Sequence, residues 1–426
     1  MLSRRSLLAS GLALPALGAA ASAQRRGARV VVIGAGFGGA TCAKYLRVLM
    51  PDAEITLIDR RAQFYTGPFT NLVIAGLREP ARISRDVQRI AADHRVRLIV
   101  DEVAAIDTEH LQLRTARHGV IAADRIVISP GIAMRWDAIA GLDPTHSLQM
   151  PHAWTGDAQL LALRERVAQL RDGATVLIAA PPNPYRCPPG PYERASLIAC
   201  ALTRSGRQRC KILIADAKDD FSKRALFQLE WDRLYPGLIE WIPRMSNGEV
   251  VRVDTAANAV WLRDATKPLN VDLASIVPPQ HAADLATQND LADESGWCPV
   301  DPSSFESLRH RNIHVIGDAA LAAPMPKSGF SANSQAKLCA SAIAAALSGK
   351  PAPEPLLLNT CYSLVAEKAA ISVSGFYAAI NGRMSARSEG MSPLSGDAAL
   401  RESEALQAQA WYESITADSF GAAHRG

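Results

Sequence analysis

The sequence is poor in several patterns that would assign a protein to a particular class. Its 426 residues contain no Cys-x-x-Cys pair and no Cys-x-x-Cys-His segment, so neither a thioredoxin-type motif nor a covalent haem site is expected, and no metal site is predicted. Beyond the first 23 residues there is no stretch of 18 or more apolar residues, which argues against a membrane span. The formal net charge is only +4, without a long run of one sign, and this argues against nucleic acid as a partner.

The composition and the N-terminus indicate an exported globular protein. Hydrophobic residues make up 48% and charged residues 21% of the chain, which is ordinary for a protein of two or three domains. Residues 1–23 have a charged start, an apolar stretch and a small-residue end, the pattern of a removable signal peptide. The pair Arg4-Arg5 gives this signal its twin-arginine form. We therefore expect export by the twin-arginine route and a periplasmic location.

A dinucleotide-binding pattern lies near the N-terminus. An apolar strand leads into Gly34, Gly36 and Gly39, a helix follows, and a second strand ends at Asp59. In this pattern the first glycine permits a tight turn, the second lets the backbone approach a pyrophosphate, and the third lets helix and strand pack closely. The helix N-terminus would face the phosphates, and Asp59 would bind a ribose hydroxyl. The order of strand, glycines, helix and acid predicts a nucleotide site.

Two later segments favour FAD as the nucleotide. Residues 313–318 read IHVIGD, a helix is predicted to begin near Ser331, and residues 124–132 read DRIVISPGI. Both segments resemble the FAD signatures of flavoproteins with two dinucleotide-binding domains, which implies that Asp318 binds the ribityl chain. The alternative is that the two segments are unrelated strand ends. Lys327 is expected to face the pyrimidine side of the flavin, and the alternative is a surface lysine before a helix. The candidate FAD-binding residues are Gly34, Gly36, Gly39, Asp59, Arg60, Val103, Pro130, Gly131, Gly317, Asp318, Lys327 and Ser328.

A second unit has the layout of a NAD-binding domain but lacks its loop. A strand over residues 174–180, a helix from about Tyr192 and a strand ending at Asp216 follow in order. Where a glycine loop would lie, the chain has prolines at Pro181, Pro182, Pro184, Pro188, Pro189 and Pro191. Proline removes backbone N–H donors and restricts φ, whereas a phosphate-binding loop needs those donors. NAD(P)H binding is therefore not expected in this unit.

Cys187 stands at the centre of the proline-rich loop, and its neighbours leave its role open. Three interpretations are open: Cys187 is a buried structural thiol, it forms a disulfide with Cys200 on the following helix, or it is a reactive group. The chain has seven cysteines, an odd number, which in an oxidising compartment leaves room for disulfides and at least one free thiol. The cysteines predicted to pack inside helices are Cys42, Cys200 and Cys339, whereas Cys210 and Cys298 are not assigned.

Three segments share the pattern of one flavoprotein family, namely NPYRCPPGPYER (183–194), MPKSGFSANSQAK (325–337) and NTCYSLV (359–365). On these segments the chain resembles the flavoprotein subunit of flavocytochrome c sulfide dehydrogenase, and the likeness covers nearly the whole chain after the signal. The resemblance implies that Cys187 and Cys361 form a redox-active disulfide beside the flavin. Sulfide would attack this disulfide and leave a persulfide on one cysteine and a thiolate on the other. Glu193 would take a proton from sulfide, or would serve only as an acid at a helix N-terminus.

The resemblance also implies a function and its partners. It indicates an FAD-dependent sulfide dehydrogenase that passes electrons to a c-type cytochrome, either a partner subunit or a soluble protein. Many family members attach FAD through a cysteine where this chain has Gly67, so non-covalent FAD is expected. One alternative is a sulfide:quinone oxidoreductase, although residues 384–405 are too polar and too broken for the membrane-lying helices of quinone-linked relatives. The other is an auxiliary flavoprotein that reactivates a periplasmic sulfur-oxidising complex, which Gly67 slightly favours.

The predicted fold is α/β. It comprises two Rossmann-like FAD/NAD(P)-binding-type domains of the glutathione-reductase kind and a small C-terminal α+β domain. The expected units are the signal (1–23), a discontinuous FAD-binding domain (24–150 and 286–349), a NAD-binding-like domain without a nucleotide loop (151–285) and the C-terminal domain (350–426). The C-terminal domain should begin with a proline-containing linker over 350–359. Its Trp411 is expected either to close the pocket over the flavin or to pack as a core or interface aromatic.

Overall fold

The computed structural model of the protein describes residues 27–422 except residue 353. The predicted twin-arginine signal at residues 1–23 lies outside the described residues. The elements up to residue 150 are β1 (Arg29–Ile33), α1 (Phe37–Leu49), β2 (Glu54–Asp59), β3 (Gln63–Tyr65), α2 (Thr70–Ile74), β4 (Ser84–Asp86), α3 (Val87–His94), β5 (Arg97–Val100), β6 (Val103–Asp107), β7 (Gln112–Thr115), β8 (Gly119–Ala122), β9 (Arg125–Ile128) and β10 (Ile132–Met134).

The remaining elements continue to residue 420. Those up to residue 300 are α4 (Asp157–Gln169), β11 (Thr175–Ala180), α5 (Gly190–Arg204), β12 (Lys211–Asp216), α6 (Arg224–Leu234), β13 (Ile239–Ile242), β14 (Val250–Asp254), β15 (Ala259–Leu262), β16 (Leu269–Asn270), β17 (Leu273–Ile276), β18 (Gln280–Ala282), α7 (Asp284–Thr287) and β19 (Cys298–Pro299). The last are β20 (Ile313–Val315), β21 (Ala320–Leu321), α8 (Gly329–Leu347), β22 (Leu356–Ala366), β23 (Ala369–Ile380), β24 (Arg383–Met391) and α9 (Ala398–Phe420). Short 3-10 helices lie at Pro80–Ile83, Trp136–Ala138, Ser147–Gln149, Arg244–Ser246 and Gly317–Ala319.

A parallel sheet carries the first nucleotide-binding pattern. Its strand order is β20-β9-β1-β2-β5. The strand β1 reads RVVVI and is buried except at its first residue, as expected for a parallel strand covered on both faces. The strand β20 joins this sheet from far along the chain, and α1 packs against α8. The segment that ends at Asp318 is therefore brought to the same sheet edge as the glycine turn after β1.

A second parallel sheet, in the order β13-β12-β11-β17, forms the core of the middle part of the chain. Its first strand, helix and second strand are β11, α5 and β12, as the sequence predicted. These two sheets, with the helices around them, form the mixed α/β fold of the dinucleotide-binding flavoproteins.

The C-terminal part is an antiparallel sheet covered by a helix. The strands β22, β23 and β24 pair in that order, and α9 packs against β23. The predicted linker over 350–359 was too long. The strand β22 already begins at Leu356, after the last proline of that linker, because the leucines there pair with β23. No helix among residues 27–422, as described, is long and apolar enough to cross a bilayer.

A buried ionic cluster ties α9 to α6. The side chain of Arg401 is completely buried, and its Nε donates to Glu230 Oε1 at 2.9 Å. Its Nη1 donates to Glu404 Oε2 at 2.9 Å, and its Nη2 donates to the carbonyl oxygen of Pro393 at 2.8 Å. A buried guanidinium is stable only with such partners. The cluster therefore holds the C-terminal sheet, which includes β22, against the middle part of the chain.

Candidate active site

The glycine turn after β1 has the geometry that its sequence predicted. Gly34 has a φ of +94°, which is strained for any other residue. A Cβ on Gly39 would lie 1.7 Å from the carbonyl oxygen of Gly34, whereas a Cβ on Gly36 would meet nothing within 4 Å. The turn is thus packed closely on its inner side and open above Gly36, at the N-terminus of α1. This open N-terminus suits the pyrophosphate of a dinucleotide.

Asp59 lies buried at the end of β2 beside the glycine turn. Its Oδ2 accepts a hydrogen bond from Ala35 N at 2.8 Å, and its Oδ1 accepts from Arg61 N at 2.9 Å. Burial opposes the charged form, but the Arg61 side chain and these N–H groups outweigh it and lower the pKa of Asp59. Arg60 instead points outward, with 72% of its side chain exposed. The structure therefore places Asp59 beside the glycine turn, and sequence reasoning missed Arg61 as its cationic partner.

Asp318 is the other acid of the predicted FAD site. Its Oδ1 is buried and has no hydrogen-bond partner among the described residues. Burial raises the pKa of Asp318, and the nearby Arg186 and Lys327 side chains oppose that rise. An unpaired buried acceptor is costly, so this atom fits a hydroxyl donor such as that of a ribityl chain.

Lys327 and Ser328 lie where α8 begins. The helix starts at Gly329, two residues before the predicted Ser331, because the Ser328 side chain accepts a hydrogen bond from Ser331 N and acts as the N-cap. Lys327 Nζ donates to the carbonyl oxygens of Asp318 at 2.7 Å and Ala320 at 2.9 Å. Burial lowers the pKa of Lys327 to about 8. The ammonium is thus held at the Asp318 segment and is not on the surface.

The remaining predicted cofactor-binding residues are two glycines, a valine and a proline. Gly317 and Gly131 have positive φ values of +76° and +75°, so each provides a turn that other residues rarely adopt. Val103 is buried at the start of β6, and Pro130 is half-buried. The open turn at Gly36 and the unpaired atom of Asp318 show that these residues fit FAD.

The proline-rich loop holds Cys187 rigidly. Cys187 has a φ of +60°, unusual for a residue with a side chain. Its N–H donates to the carbonyl oxygen of Lys327 at 2.8 Å, and its own carbonyl accepts from Gly190 N at 2.8 Å. Trp154 Nε1 donates to the carbonyl oxygen of Arg186 at 2.7 Å. The bond to Lys327 attaches the loop to the Asp318–Lys327 segment, so Cys187 lies on the side of the predicted flavin site.

Cys361, in the middle of β22, comes close to Cys187. Both are half-buried and are free thiols in this structure. Burial raises the pKa of Cys187, and the neighbouring Cys361 and Glu193 raise it further. Glu193 accepts hydrogen bonds from Leu364 N and Asn71 Nδ2, each at 2.8 Å. The fold thus assembles the predicted trio of Cys187, Cys361 and Glu193.

The alternative bridge between Cys187 and Cys200 is wrong. Cys187 lies just before α5, whereas Cys200 is ten residues into this helix, roughly 15 Å along its axis. A disulfide needs Cα atoms within about 7 Å of each other. Burial raises the pKa of Cys200, which contacts Tyr235.

The other thiols lie inside the protein. Cys42 on α1 contacts Cys339 on α8, and both are completely buried. Cys210 Sγ donates to the carbonyl oxygen of Arg171 at 3.3 Å. Cys298 lies near Lys327, and burial raises its pKa to about 12. The packing role predicted for Cys42, Cys200 and Cys339 agrees with this burial.

Lys223 is a charged residue of this site that sequence reasoning missed. It lies just before α6 with a φ of +65°, only 6% exposed. Its Nζ donates to Ser363 Oγ at 2.8 Å, two residues beyond Cys361. Its charge opposes the rise that burial causes in the pKa of Cys361 and of Glu193. No local pattern marks this lysine, because 140 residues separate it from Ser363.

In the middle domain, protein side chains bind the acid that corresponds to the ribose-binding acid of NAD-binding domains. The acid after the second strand, Asp216, is completely buried. It accepts hydrogen bonds from Tyr192 Oη at 2.6 Å, Trp241 Nε1 at 2.9 Å and Lys218 Nζ at 2.7 Å. In NAD-binding domains this acid binds a ribose, but here it is completely enclosed by side chains of the protein. The geometry therefore adds a second argument against NAD(P)H, beside the prolines.

A cleft and a tryptophan complete the site. The cleft has a volume of about 360 Å³ and is lined in part by Pro188, Ser222 and Lys327. Trp411 of α9 stacks on Phe330 with 6.3 Å between ring centroids. Its Nε1 is buried without a hydrogen-bond partner among the described residues. Trp411 therefore packs as an aromatic against α8, while its unpaired N–H is available to a bound group.

Models of known protein families match three stretches of the chain. The model of the sulfide dehydrogenase (flavocytochrome c) flavoprotein chain, central, matches residues 160–278. The model of flavocytochrome c sulphide dehydrogenase, flavin-binding, matches residues 353–420, and that of pyridine nucleotide-disulphide oxidoreductase matches residues 28–168. The two flavocytochrome models thus cover the regions of Cys187 and of Cys361.

Individual relatives agree with these models. The sulfide dehydrogenase (flavocytochrome c) flavoprotein chain of Chlorobaculum thiosulfatiphilum is 56% identical over 45 residues, which are 11% of this chain and 94% of that sequence. The mitochondrial sulfide:quinone oxidoreductase of Mus musculus is 22% identical over 303 residues, 68% of this chain and 65% of the mouse protein. The X-ray structure of the sulfide:quinone oxidoreductase from Aquifex aeolicus has a TM-score of 0.72 and 19% identity, covering 93% of this chain and 92% of that one. This chain belongs to the family of the flavoprotein chain of flavocytochrome c sulfide dehydrogenase.

Proposed function

We propose that this protein oxidises sulfide through a disulfide between Cys187 and Cys361 and passes the electrons through FAD to a c-type cytochrome. The observation that supports this proposal best is the assembly of both thiols and Glu193 beside the segment that ends at Asp318. These groups come from α5, β22 and the β20 edge of the first sheet. Nothing in simple packing requires two half-buried thiols and a buried acid at this junction.

The first chemical step takes place on the two cysteines. Hydrosulfide attacks Cys361 Sγ of the oxidised pair, a new S–S bond forms, and the bond to Cys187 Sγ breaks. Cys361 then carries a persulfide and Cys187 a thiolate. Glu193 accepts the proton that is released when the persulfide ionises. The thiolate is placed on Cys187 because this cysteine is bonded through its N–H to Lys327, on the side of the flavin-binding segments.

FAD would be held by the turn at Gly34–Gly39, by Asp59 and by Asp318. When bound, FAD supplies an acceptor for two electrons that can leave one at a time. The linkage is non-covalent in this proposal, since Gly67 offers no thiol. Acid precipitation should then leave the flavin in solution.

The acceptor proposed is a c-type cytochrome, as subunit or soluble protein, in the periplasm. Two observations support this choice: the match to the flavocytochrome models, and the twin-arginine pattern at residues 1–23. The likeness to the mouse and Aquifex proteins favours sulfide:quinone oxidoreductase as the second candidate. Against that candidate, α9 buries Tyr412, Ile415 and Phe420 in the protein, and Leu406 is the one large apolar side chain that this described helix exposes. Gly67 favours the third, an auxiliary flavoprotein that reactivates a sulfur-oxidising complex.

Anaerobic titration with sulfide separates these three functions. The purified flavoprotein should lose its flavin absorbance on adding sulfide and regain it on adding oxidised cytochrome c, with matching reduction of the cytochrome. Recovery with a short-chain quinone but not with cytochrome c would favour the quinone-linked enzyme. A flavin that sulfide leaves oxidised would overturn sulfide oxidation and favour the auxiliary role.

The acid limb of the pH profile should depend on Glu193. Burial raises the pKa of Glu193 above the ordinary value, against the opposing bonds from Asn71 and Leu364. Below this raised pKa the carboxyl is protonated and cannot accept a proton, so the rate of flavin reduction by sulfide should fall as the pH falls. Glu193→Gln should lower that rate about 100-fold and abolish this limb, as measured by stopped-flow absorbance.

A matched control is Glu367→Gln. Glu367 is half-exposed in the turn after β22 and pairs with Arg204, so its loss should leave the pH profile unchanged. The protonation of sulfide itself affects the rate equally in the wild type and in both variants, so its contribution to the pH profile can be subtracted. If the Gln variant at position 193 keeps the acid limb of the wild type, Glu193 is not the base.

A further inference from the structure

Lys223 is a buried cation beside the cysteine pair. It is held in a left-handed backbone conformation just before α6, and its ammonium is bonded to Ser363 Oγ at 2.8 Å. Cys361 and Ser363 are separated by two positions on β22, so their side chains project from the same face of the strand. The ammonium therefore lies on the face of β22 that carries the Cys361 thiol.

The charge of Lys223 has no carboxylate partner within salt-bridge distance among the residues that the structure describes. Arg401 and Lys218 differ in this respect, because Arg401 pairs with Glu230 and Lys218 with Asp216. The buried Arg194 also lacks a carboxylate partner in the described part of the chain, but its guanidinium donates to four oxygens, those of His152, Ala153, Ser275 and Asn71. A buried charge without an ion-pair partner is costly. A buried ammonium of this kind is therefore well suited to an anion that is present only during the reaction.

We propose that Lys223 is the anion-binding residue of the sulfur site, which draws hydrosulfide to Cys361 and then holds the persulfide anion formed there. This inference rests on the proposed function. The step is HS⁻ plus the Cys187–Cys361 disulfide giving a Cys361 persulfide and a Cys187 thiolate, so charge is conserved and the disulfide is the oxidant. The cleft is lined by Pro188 and Ser222, the chain neighbours of Cys187 and Lys223, and in this proposal the anion approaches from it.

The test uses two reagents that open a disulfide with different charge. Sulfite is an anion, whereas a phosphine such as tris(hydroxypropyl)phosphine is neutral and forms a transient thiophosphonium, in which the phosphorus bonded to the attacked sulfur carries a positive charge. In the oxidised holoprotein, Lys223→Met should slow cleavage by sulfite and flavin reduction by sulfide about 10- to 100-fold, the size of one lost charge at short range. Cleavage by the phosphine should change less than about threefold. Cleavage is followed by thiol titration, which does not depend on flavin turnover.

Two matched variants complete the design. Lys223→Arg keeps the charge and should restore most of the sulfite rate. Lys211→Met removes a partly exposed lysine of the same domain that pairs with Glu240, and it should behave as the wild type. Retained FAD absorbance shows that each variant is folded.

The failures can be told apart. If the Lys223→Met variant reacts with sulfite as fast as the wild type, the role of Lys223 is overturned, while the proposed function is not affected. Equal slowing by sulfite and phosphine also overturns it, because the lysine would then stabilise the leaving thiolate or only the local structure. If the wild-type protein itself forms no Cys187–Cys361 bond or is not reduced by sulfide, the proposed function fails instead.

Discussion

Cys187→Ser should abolish the reduction of the flavin by sulfide, lowering its rate by about a thousandfold or more, while FAD remains bound. Without this sulfur no disulfide can form with Cys361, and sulfide has no electrophilic sulfur to attack. An effect of this size is typical of the loss of a covalent catalytic group. FAD should stay, because the loop is held to Lys327 through the backbone N–H of residue 187 and not through its side chain. Stopped-flow absorbance measures both the rate and the flavin content.

The control is Cys200→Ser. Cys200 lies on the same helix but far from Cys361, beside Tyr235, so its flavin should be reduced as fast as that of the wild type. Retained reduction in the Cys187 variant would refute the disulfide role, whatever the electron acceptor is.

Arg401→Met should destabilise the C-terminal part by about 3–5 kcal/mol, the usual cost of removing one partner from a buried ion pair. Glu230 would keep Arg233, whose Nη2 donates to Glu230 Oε2 at 2.6 Å, but Glu404 would keep only neutral partners such as Ser372. The first transition in urea, followed by tryptophan fluorescence, should move to lower denaturant concentration. Because the cluster holds β22 against the middle domain, reduction by sulfide should be lost in the same range of urea.

Arg383→Met provides the comparison. Arg383 is exposed at the start of β24, and its replacement should change the free energy of unfolding by no more than about 0.5 kcal/mol. If the Arg401 variant unfolds at the same urea concentration as the wild type, the ionic cluster does not hold the C-terminal part.

Local patterns predicted the two parallel sheets and the glycine turn before α1. The turn at Gly34 and the acid Asp59 follow from adjacent strand, loop and helix signals, and so do the ends of β11 and β12. Errors occurred where capping or pairing outweighs composition. The Ser328 side chain starts α8 earlier than predicted, and pairing with β23 extends β22 into the predicted linker.

The sequence by itself determined the positions along the chain of the groups that we propose to be reactive. It predicted the proline-rich loop at Cys187, the acid Glu193 that follows and the distant Cys361, because each belongs to a short motif. Only the tertiary structure decided which groups meet. It excluded the bridge to Cys200 and brought Lys223 to the face of β22, because contacts between residues more than a hundred positions apart depend on strand register and helix packing, which no local pattern records.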